Sequence, residues 1–226
     1  MLPERLFRAH LDILRACRIP VLPLEALLEE RPRRGVILTF DDAFADFGAT
    51  AWPLLRERDY PAAVMVPTAH VGGQDRWNER EGPRRRRLLD WPALRRLRSE
   101  GAAVEAHGAT HRDLLTLPLE HAEWELRTSR ERLLAELGEP CRFLAYPYNR
   151  ASPALAAAAQ RAGYRGALGG DRADGSPFHR RRSDVSGAGV WHFAAEVFGG
   201  LDGMRWLKRR VRRVVGRGRR QPAGST

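Results

Sequence analysis

The chain is organised around Gly35-Val36-Ile37-Leu38-Thr39-Phe40-Asp41-Asp42, an apolar run that ends in two adjacent carboxylates. The β-branched and large apolar residues of this run predict a buried strand. In α/β folds, the C-terminal ends of strands carry the chemistry. We therefore take Asp41 and Asp42 as the centre of a candidate site. The alternative is that the two acids only begin a loop or cap the helix that follows.

Similar apolar runs recur along the chain at helix-sized intervals. They predict strands near positions 36, 62, 102, 142 and 165. The predicted helices lie at 3–17, 44–58, 90–100, 118–137 and 153–162. Pro53 falls inside the second helix, which must therefore be distorted or restarted. This alternation indicates parallel βαβ units, either as a doubly wound sheet or as a β/α barrel, and both bind ligands at the C-terminal strand ends.

Composition limits the class of protein. With 226 residues, 43% of them hydrophobic, the chain can form a domain with a substantial core. The two cysteines, Cys17 and Cys141, are far apart and lack metal-type spacing, which excludes a disulfide framework and a zinc knuckle. Charges interrupt the first twenty residues, so no signal peptide is predicted, and no apolar stretch reaches the ~18 residues that span a bilayer. We expect a cytoplasmic protein.

The C-terminal end carries the most extended basic run. We expect residues 1–203 to form one domain and residues 204–226 to form a basic helix and a disordered tail. A net charge of +11 and a basic amphipathic helix predict peripheral contact with an anionic membrane through 204–220. The alternative is a solvated final helix. Nucleic-acid binding as the main function is not expected, because aromatic or groove-reading elements do not accompany the run.

Two further strand ends carry polar chemistry. The sequence His107-Gly-Ala-Thr-His111 follows one predicted strand, and Tyr146-Pro147-Tyr148 follows another. Carboxylate and imidazole suit zinc and related ions, and three protein ligands leave positions open for water. A histidine pair at this spacing is also typical of cap, surface and core residues, and the absence of Glu after the first histidine excludes a metzincin-type site. If a metal binds, one acid can hold it while the other accepts a proton from water.

Together, these motifs resemble the polysaccharide deacetylase family, the NodB-homology domain of carbohydrate esterase family 4. Residues 39–42 are similar to the family's T-F-D-D-G, residues 107–111 to its H-[ST]-x-x-H, and residues 145–149 to its Y-P-Y-G segment. The resemblance runs from about Leu6 to Trp206 and implies a distorted (β/α)7 barrel. Many members begin with a strand ending in Tyr-His. This chain starts inside the following helix, so we expect either that the given sequence starts late or that the barrel lacks its first strand.

The resemblance implies a metal-dependent carbohydrate deacetylase, a hydrolase of non-peptide carbon–nitrogen bonds acting on N-acetylated amino sugars of a polysaccharide or glycan precursor. By position, the implied metal ligands are Asp42, His107 and His111. The implied metal is zinc, with cobalt or nickel as alternatives. Asp41 is implied as the general base and the backbone N–H of Tyr148 as an oxyanion donor. Pro147 and Tyr148 are implied as substrate contacts.

The chain departs from the family pattern at several positions. Ala43 and Asn149 replace glycines, and both changes are expected to be mild, because alanine fits most backbone conformations and asparagine tolerates positive φ. Ala145 replaces an arginine that pairs with the catalytic aspartate in many members. Without that cation, we expect Asp41 to be a slightly stronger base and less rigidly held.

The general acid of the family, usually a histidine in a Leu-His motif, has no counterpart in a matching context in this chain. His179 is the candidate, because it precedes a segment, Arg180–Val185, that is similar to an R-x-D-V strand of some members. His192, between two aromatic residues, is interpreted as part of an apolar helix face. Two alternatives stay open at this point. One is a different metal hydrolase on the same barrel, and the other is a non-catalytic glycan- or membrane-associated homologue.

Overall fold

The computed structural model of the chain describes residues 2–29, 34–77, 85–169 and 176–198. The chain divides into a central unit, Val21–Arg182, and a terminal unit, Met1–Pro20 with Ser183–Thr226. The α-helices are α1 (Glu4–Ala16), α2 (Trp52–Arg56), α3 (Trp91–Ser99), α4 (Leu119–Leu137), α5 (Pro153–Arg161) and α6 (Val190–Phe198). The basic segment expected at 204–226 lies outside the described residues, so it and the domain boundary at 203 stay predictions.

The central unit contains one parallel sheet. Its strands, in spatial order, are β1 (Thr39–Phe40), β2 (Ala63–Val66), β3 (Ala103–Ala106), β4 (Phe143–Ala145) and β5 (Gly166–Leu168). Each strand pairs with the next along the chain. Single parallel bridges, Val21 with Val36 and Leu168 with Arg180, add an extended segment beyond each edge strand. The predicted α/β fold with parallel strands is confirmed.

The strands of the sheet are short, and most of their residues are buried. All residues of β2, β4 and β5 are buried. Their side chains form one cluster with the short 3₁₀-helix Leu24–Leu28: Leu24, Ala63, Met65, Phe143, Ala145 and Leu168. A fully buried side chain the size of Met or Phe contributes about 1.5–3 kcal/mol. The predicted strand at 36 is shorter than expected, since β1 spans only two residues, both partly exposed. The single bridge of Val36 with Val21 lies three residues before β1.

The helices of the central unit begin and end where the sequence indicates. A π-helical turn, Phe47–Ala51, precedes α2, and Pro53 lies in the first turn of α2, where its missing N–H costs nothing. This confirms the predicted restart. Asp90 caps α3 by accepting the N–H of Ala93 at 2.9 Å. The longest helix, α4, ends at Gly138, whose φ of 78° is a left-handed C-cap.

In the terminal unit, α1 packs against α6. Cys17 and Ala194 are buried in this contact, and the rings of His10 and Phe193 stack 4.1 Å apart. The interpretation of His192 as part of an apolar face is wrong, because its side chain is 60% exposed and faces Glu196 at 3.8 Å. Phe193 and Ala194 occupy the buried positions of α6, and a neighbour about 100° around the helix points outward. None of the helices within the described residues is long and apolar enough to cross a membrane.

Candidate functional site

The predicted polar strand ends meet at one edge of the central sheet. Asp41 and Asp42 follow β1, and His107 follows β3. Neighbouring parallel strands present their carboxyl ends on the same side, which brings these residues together. Ligand atoms of Asp42, His107 and His111 all lie within 4.8 Å of one another. The structure therefore shows the convergence that the motif spacing predicts.

The distances within this cluster suit a shared cation better than a hydrogen-bonded pair. Oδ1 of Asp42 lies 2.9 Å from Nε2 of His111 and 3.6 Å from Nε2 of His107. Neither pair has hydrogen-bond geometry, and this buried oxygen has no donor among the described residues. Tetrahedral zinc with bonds of about 2.0–2.1 Å spaces its ligand atoms roughly 3.3 Å apart. The donor set of one carboxylate and two imidazoles thus fits a divalent metal.

His107 is prepared to act as a neutral ligand. Its Nδ1 lies 2.8 Å from the carbonyl oxygen of Ala145, so Nδ1 carries the proton and donates it to that oxygen. The lone pair is then left on Nε2, which faces the two aspartates. Burial lowers the pKa of His107 and outweighs the opposing attraction of Asp41. A backbone carbonyl that orients a ligating histidine in this way is a regular feature of metal sites.

Arg182 forms a bidentate ion pair with Asp41. Its two terminal nitrogens donate to the two carboxylate oxygens at 2.7 and 2.9 Å, and its side chain is only 15% exposed. Burial favours the neutral carboxyl. The charges of Arg182, His107 and His111 outweigh it and lower the pKa of Asp41 to about 2. The expectation that Asp41 lacks a cationic partner and is a stronger base is therefore wrong.

The sequence carries one signal for Arg182, because the residue lies in the segment 180–185 that resembles an R-x-D-V strand. That resemblance does not show which residue of the segment reaches Asp41. In the structure, Arg182 supplies Asp41 with a cationic partner. Arg182 also donates to Thr39 Oγ1 at 3.2 Å and to Asn149 Oδ1 at 3.4 Å, so one side chain joins β1 to the turn that follows β4.

The backbone around the site is strained. Five non-glycine residues have positive φ: Asp42 (71°), Ala43 (54°), His111 (58°), Tyr148 (57°) and Asn149 (56°). Such outliers gather at functional sites, where surrounding contacts hold them. For Asn149 this matches the expected tolerance of positive φ. For Ala43 the expectation of a mild change is wrong, because a left-handed alanine costs about 1–2 kcal/mol.

Two aromatic side chains flank His111 and line an open groove. The Trp77 ring stacks on the His111 ring at 4.4 Å, and the Tyr148 ring meets it edge-on at 5.0 Å. The groove has a volume of about 290 Å³ and is lined by Trp77, Thr110, His111, Arg112, Asp113 and Tyr148. Tyr148 is 50% exposed, whereas Pro147 beside it is buried. Trp77 was missed because it stands in a polar loop with no pattern around it.

His179 lies close in sequence to the segment that carries Arg182. It is partly buried, and its backbone N–H donates to the carbonyl of Ser176 at 3.3 Å. In sequence, His179 immediately precedes Arg180, which forms a parallel bridge with Leu168 at the edge of the sheet. Its role as general acid stays a prediction, as do the roles expected for Asp41, Pro147 and Tyr148.

Comparison with known proteins places these motifs in a family. The family model described as polysaccharide deacetylase matches residues 29–167. The protein YxkH of Bacillus subtilis (strain 168), named as a polysaccharide deacetylase, is 23% identical over 168 residues, which are 72% of this chain and 56% of that protein. The chain thus spans little more than half the length of this curated relative.

Solved structures share the fold. IcaB from Ammonifex degensii aligns with a TM-score of 0.72 and 21% identity over 86% of this chain and 88% of its own. The Streptococcus pyogenes deacetylase PplD, solved in complex with acetate, aligns with a TM-score of 0.68 and 21% identity over 80% of each chain. The parallel strands therefore form the curled half-barrel of these NodB-type deacetylase structures.

Proposed function

The chain belongs to the polysaccharide deacetylase family, and within that family we propose that it is a metal-dependent hydrolase that removes acetyl groups from N-acetylated amino sugars of a polysaccharide or glycan precursor. The observation that carries this proposal is the convergence of Asp42, His107 and His111 next to an ionised Asp41. The proposed cofactor is a divalent metal, with zinc first and cobalt or nickel as alternatives. The proposed partner is the carbohydrate substrate.

Asp42, His107 and His111 would hold the metal. The support is the donor set itself, with a buried oxygen that lacks a hydrogen-bond donor within the described chain and a histidine whose lone pair faces it. A divalent cation bound there would supply Lewis-acid activation of water and of the acetyl carbonyl near neutral pH. Three protein ligands leave room for both groups.

Asp41 would accept a proton from a water molecule at the site. It is adjacent to the metal ligands but is turned toward Arg182, with its Oδ2 3.8 Å from Nε2 of His107. Because its pKa is about 2, it is ionised and ready to accept a proton throughout the neutral range. The low pKa also makes it a weak base. Its contribution then depends on the fixed position that the ion pair gives it.

Two groups would complete the reaction. The backbone N–H of Tyr148 is the proposed oxyanion donor, in a turn whose left-handed φ of 57° sets the direction of its peptide groups. A preorganised donor of this kind is typically worth about 2.7–4 kcal/mol to the barrier. His179 is the proposed proton donor to the departing amine. The aromatic walls of the groove, Trp77 and Tyr148, suit the apolar face of a sugar ring.

Acetate release tests this proposal. Purified, zinc-loaded protein is incubated with chitooligosaccharides, and wild type is compared with Asp41→Asn. Asp46→Asn serves as the matched control, because Asp46 is an exposed acid in the helical turn that follows the Asp41 loop. We expect Asp41→Asn to lose at least about 10²-fold in rate with unchanged metal content, since general base catalysis contributes 10²–10⁴-fold. Wild type that binds metal but releases no acetate from any amino sugar would contradict the proposed reaction.

A further inference from the structure

Glu125, on α4, contacts the loop that joins the two candidate metal-ligating histidines. Its side chain is buried, with 2% of the residue exposed. One carboxylate oxygen, Oε2, accepts the backbone N–H groups of Ala109 and Thr110, each at 2.8 Å. The other, Oε1, accepts the hydroxyl of Thr110. A single carboxylate therefore binds three donors between His107 and His111.

The carbonyl groups of the same loop are bound from another element. The 3₁₀ turn Thr68–His70 follows β2 and provides one donor to each carbonyl. The contacts are Thr68 N to Gly108 O at 3.3 Å, Ala69 N to Ala109 O at 2.9 Å, and His70 Nε2 to Thr110 O at 3.1 Å. The loop thus has its carbonyls fixed by one turn and its amides fixed by one carboxylate. Of the two supports, Glu125 is the one that a single substitution can remove.

The loop needs this support because its conformation is unfavourable. Gly108 has a φ of 74°, and His111 has a φ of 58°. A Cβ added at Gly108 would lie 3.6 Å from Oε2 of Glu125, so the backbone packs directly against the carboxylate. Non-glycine residues with positive φ persist only where neighbouring contacts hold them. In this loop conformation, Nε2 of His111 lies 2.9 Å from Oδ1 of Asp42.

We propose that Glu125 is a positioning residue of the metal centre, which fixes the 107–111 loop in the conformation that brings His111 to Asp42. The inference rests on the proposed function, because it presupposes the metal site. Glu125 touches neither the metal ligands' nitrogens nor any reacting atom. It acts on affinity by preorganising one ligand, and residues that orient ligands typically change metal affinity or activity 10–100-fold when removed.

The hydrogen-bond pattern separates a geometric role from a charge effect. In Glu125→Gln, the amide oxygen can take the position of Oε2 and accept both N–H groups, while the amide nitrogen donates to the Thr110 hydroxyl, which can also accept. The glutamine variant thus keeps the geometry and removes the charge. Glu125→Ala leaves the buried N–H of Ala109 and the partly buried N–H of Thr110 without this acceptor, which is the costly case for hydrogen bonds.

Cobalt binding tests the proposal in the full chain. The dissociation constant for Co²⁺ is measured by chelator competition, and the d–d absorption spectrum of the loaded protein reports ligand geometry. We expect Glu125→Ala to raise the dissociation constant about 10–100-fold and to alter the spectrum. Glu125→Gln should stay within about threefold of wild type, because its geometry is retained.

Two variants of the same helix are the controls. Glu123→Ala removes a carboxylate that pairs with Arg161, away from the loop. Leu133→Ala creates a cavity at a fully buried position and lowers stability without touching the loop. Both should bind Co²⁺ as wild type does. If Leu133→Ala weakened Co²⁺ binding as much as Glu125→Ala, general destabilisation would explain the effect and the proposal would be overturned.

The remaining outcomes separate this proposal from the metal site itself. If wild type binds no Co²⁺, the proposed function is refuted. If wild type and Glu125→Ala bind Co²⁺ with equal affinity, only the role of Glu125 is refuted. Equal losses in the glutamine and alanine variants would also overturn the geometric role. Should Glu125→Ala fail to fold, amide hydrogen exchange in wild type tests whether Glu125 fixes the loop. The Ala109 and Thr110 amides must then be protected from exchange. Exchange at the rate of solvent-exposed amides would refute the role of Glu125.

Discussion

Replacement of Arg182 by methionine is expected to raise the pKa of Asp41 and to shift the pH dependence of the site. The guanidinium donates to both carboxylate oxygens at 2.7 and 2.9 Å and is the leading influence that favours the ionised form. Burial acts in the opposite direction and is the largest single influence on this carboxyl. Without Arg182, burial is opposed only by the two histidines, so the pKa must rise from about 2.

The size of the shift follows from the geometry of the pair. Two unit charges about 4 Å apart interact by about 4 kcal/mol at an effective dielectric of 20 and by about 1 kcal/mol in water. The side chain of Asp41 is 35% exposed, so the value lies between these limits. This corresponds to a rise of roughly one to three pKa units. The pKa of Asp41 in the variant is then expected near or above its ordinary value of 3.8.

The assay has two parts. The carboxyl resonances of aspartate-labelled, metal-free protein are titrated by NMR, and kcat/KM for acetate release is measured against pH in the loaded protein. The acid limb of that profile should move to higher pH in Arg182→Met. Arg182→Lys keeps the charge and should move it less, and Arg181→Met removes an exposed neighbouring charge as the matched control. An unchanged Asp41 titration in Arg182→Met would refute the reasoning.

Three further outcomes are expected. Ala43→Gly should raise the free energy of unfolding by about 1 kcal/mol in denaturant titration, because Ala43 has a φ of 54°. As a control, Ala158→Gly within α5 should lower the free energy of unfolding by a similar amount. A destabilised Ala43→Gly would contradict the inferred backbone strain. Glu105 is buried, which raises its pKa to about 7 despite two backbone N–H bonds at 2.7 Å. Since the folded protein holds this proton more tightly than the unfolded chain, the free energy of unfolding should fall by up to about 3 kcal/mol as pH rises from about 4.5 to 7. In chemical unfolding at several pH values, Glu105→Gln should not show this pH dependence. An equal pH dependence in both proteins would contradict the assignment to Glu105. Burial lowers the pKa of His10 below 6.5, so the stabilisation that depends on neutral His10 should be lost as pH falls below that value. Amide protection factors in α1 and α6, corrected for the intrinsic pH dependence of exchange, should therefore fall in wild type but not in His10→Phe; an equal fall in both would contradict this source.

The sequence predicted the fold well because its signals are local and agree with one another. The predicted strand near 62 and the helix at 118–137 are both present in the structure, the latter with its stop at Gly138. Period, caps and breakers act within a few residues, so they can be read directly. The expected lack of a first barrel strand has no such local signal, and it stays a prediction.

The centre of the site was also predictable, whereas its supports were not. Asp42, His107 and His111 stand in compact motifs at strand ends, and parallel topology brings strand ends together. Arg182 reaches Asp41 across 141 positions, and Glu125 reaches Thr110 from a helix face that also looks like an ordinary amphipathic pattern. No local period reports contacts of that range. The assignment of His192 failed for a related reason, because one residue along a helix reverses burial.

The metal content of purified protein tests the central claim most directly. Elemental analysis after zinc loading and gel filtration should find about one zinc ion per chain in wild type and in Asp41→Asn, since Asp41 is proposed as the base and not as a ligand. His111→Ala should retain little or no zinc, because it removes one of three proposed protein ligands. Wild type without zinc, or His111→Ala with as much zinc as wild type, would contradict the account.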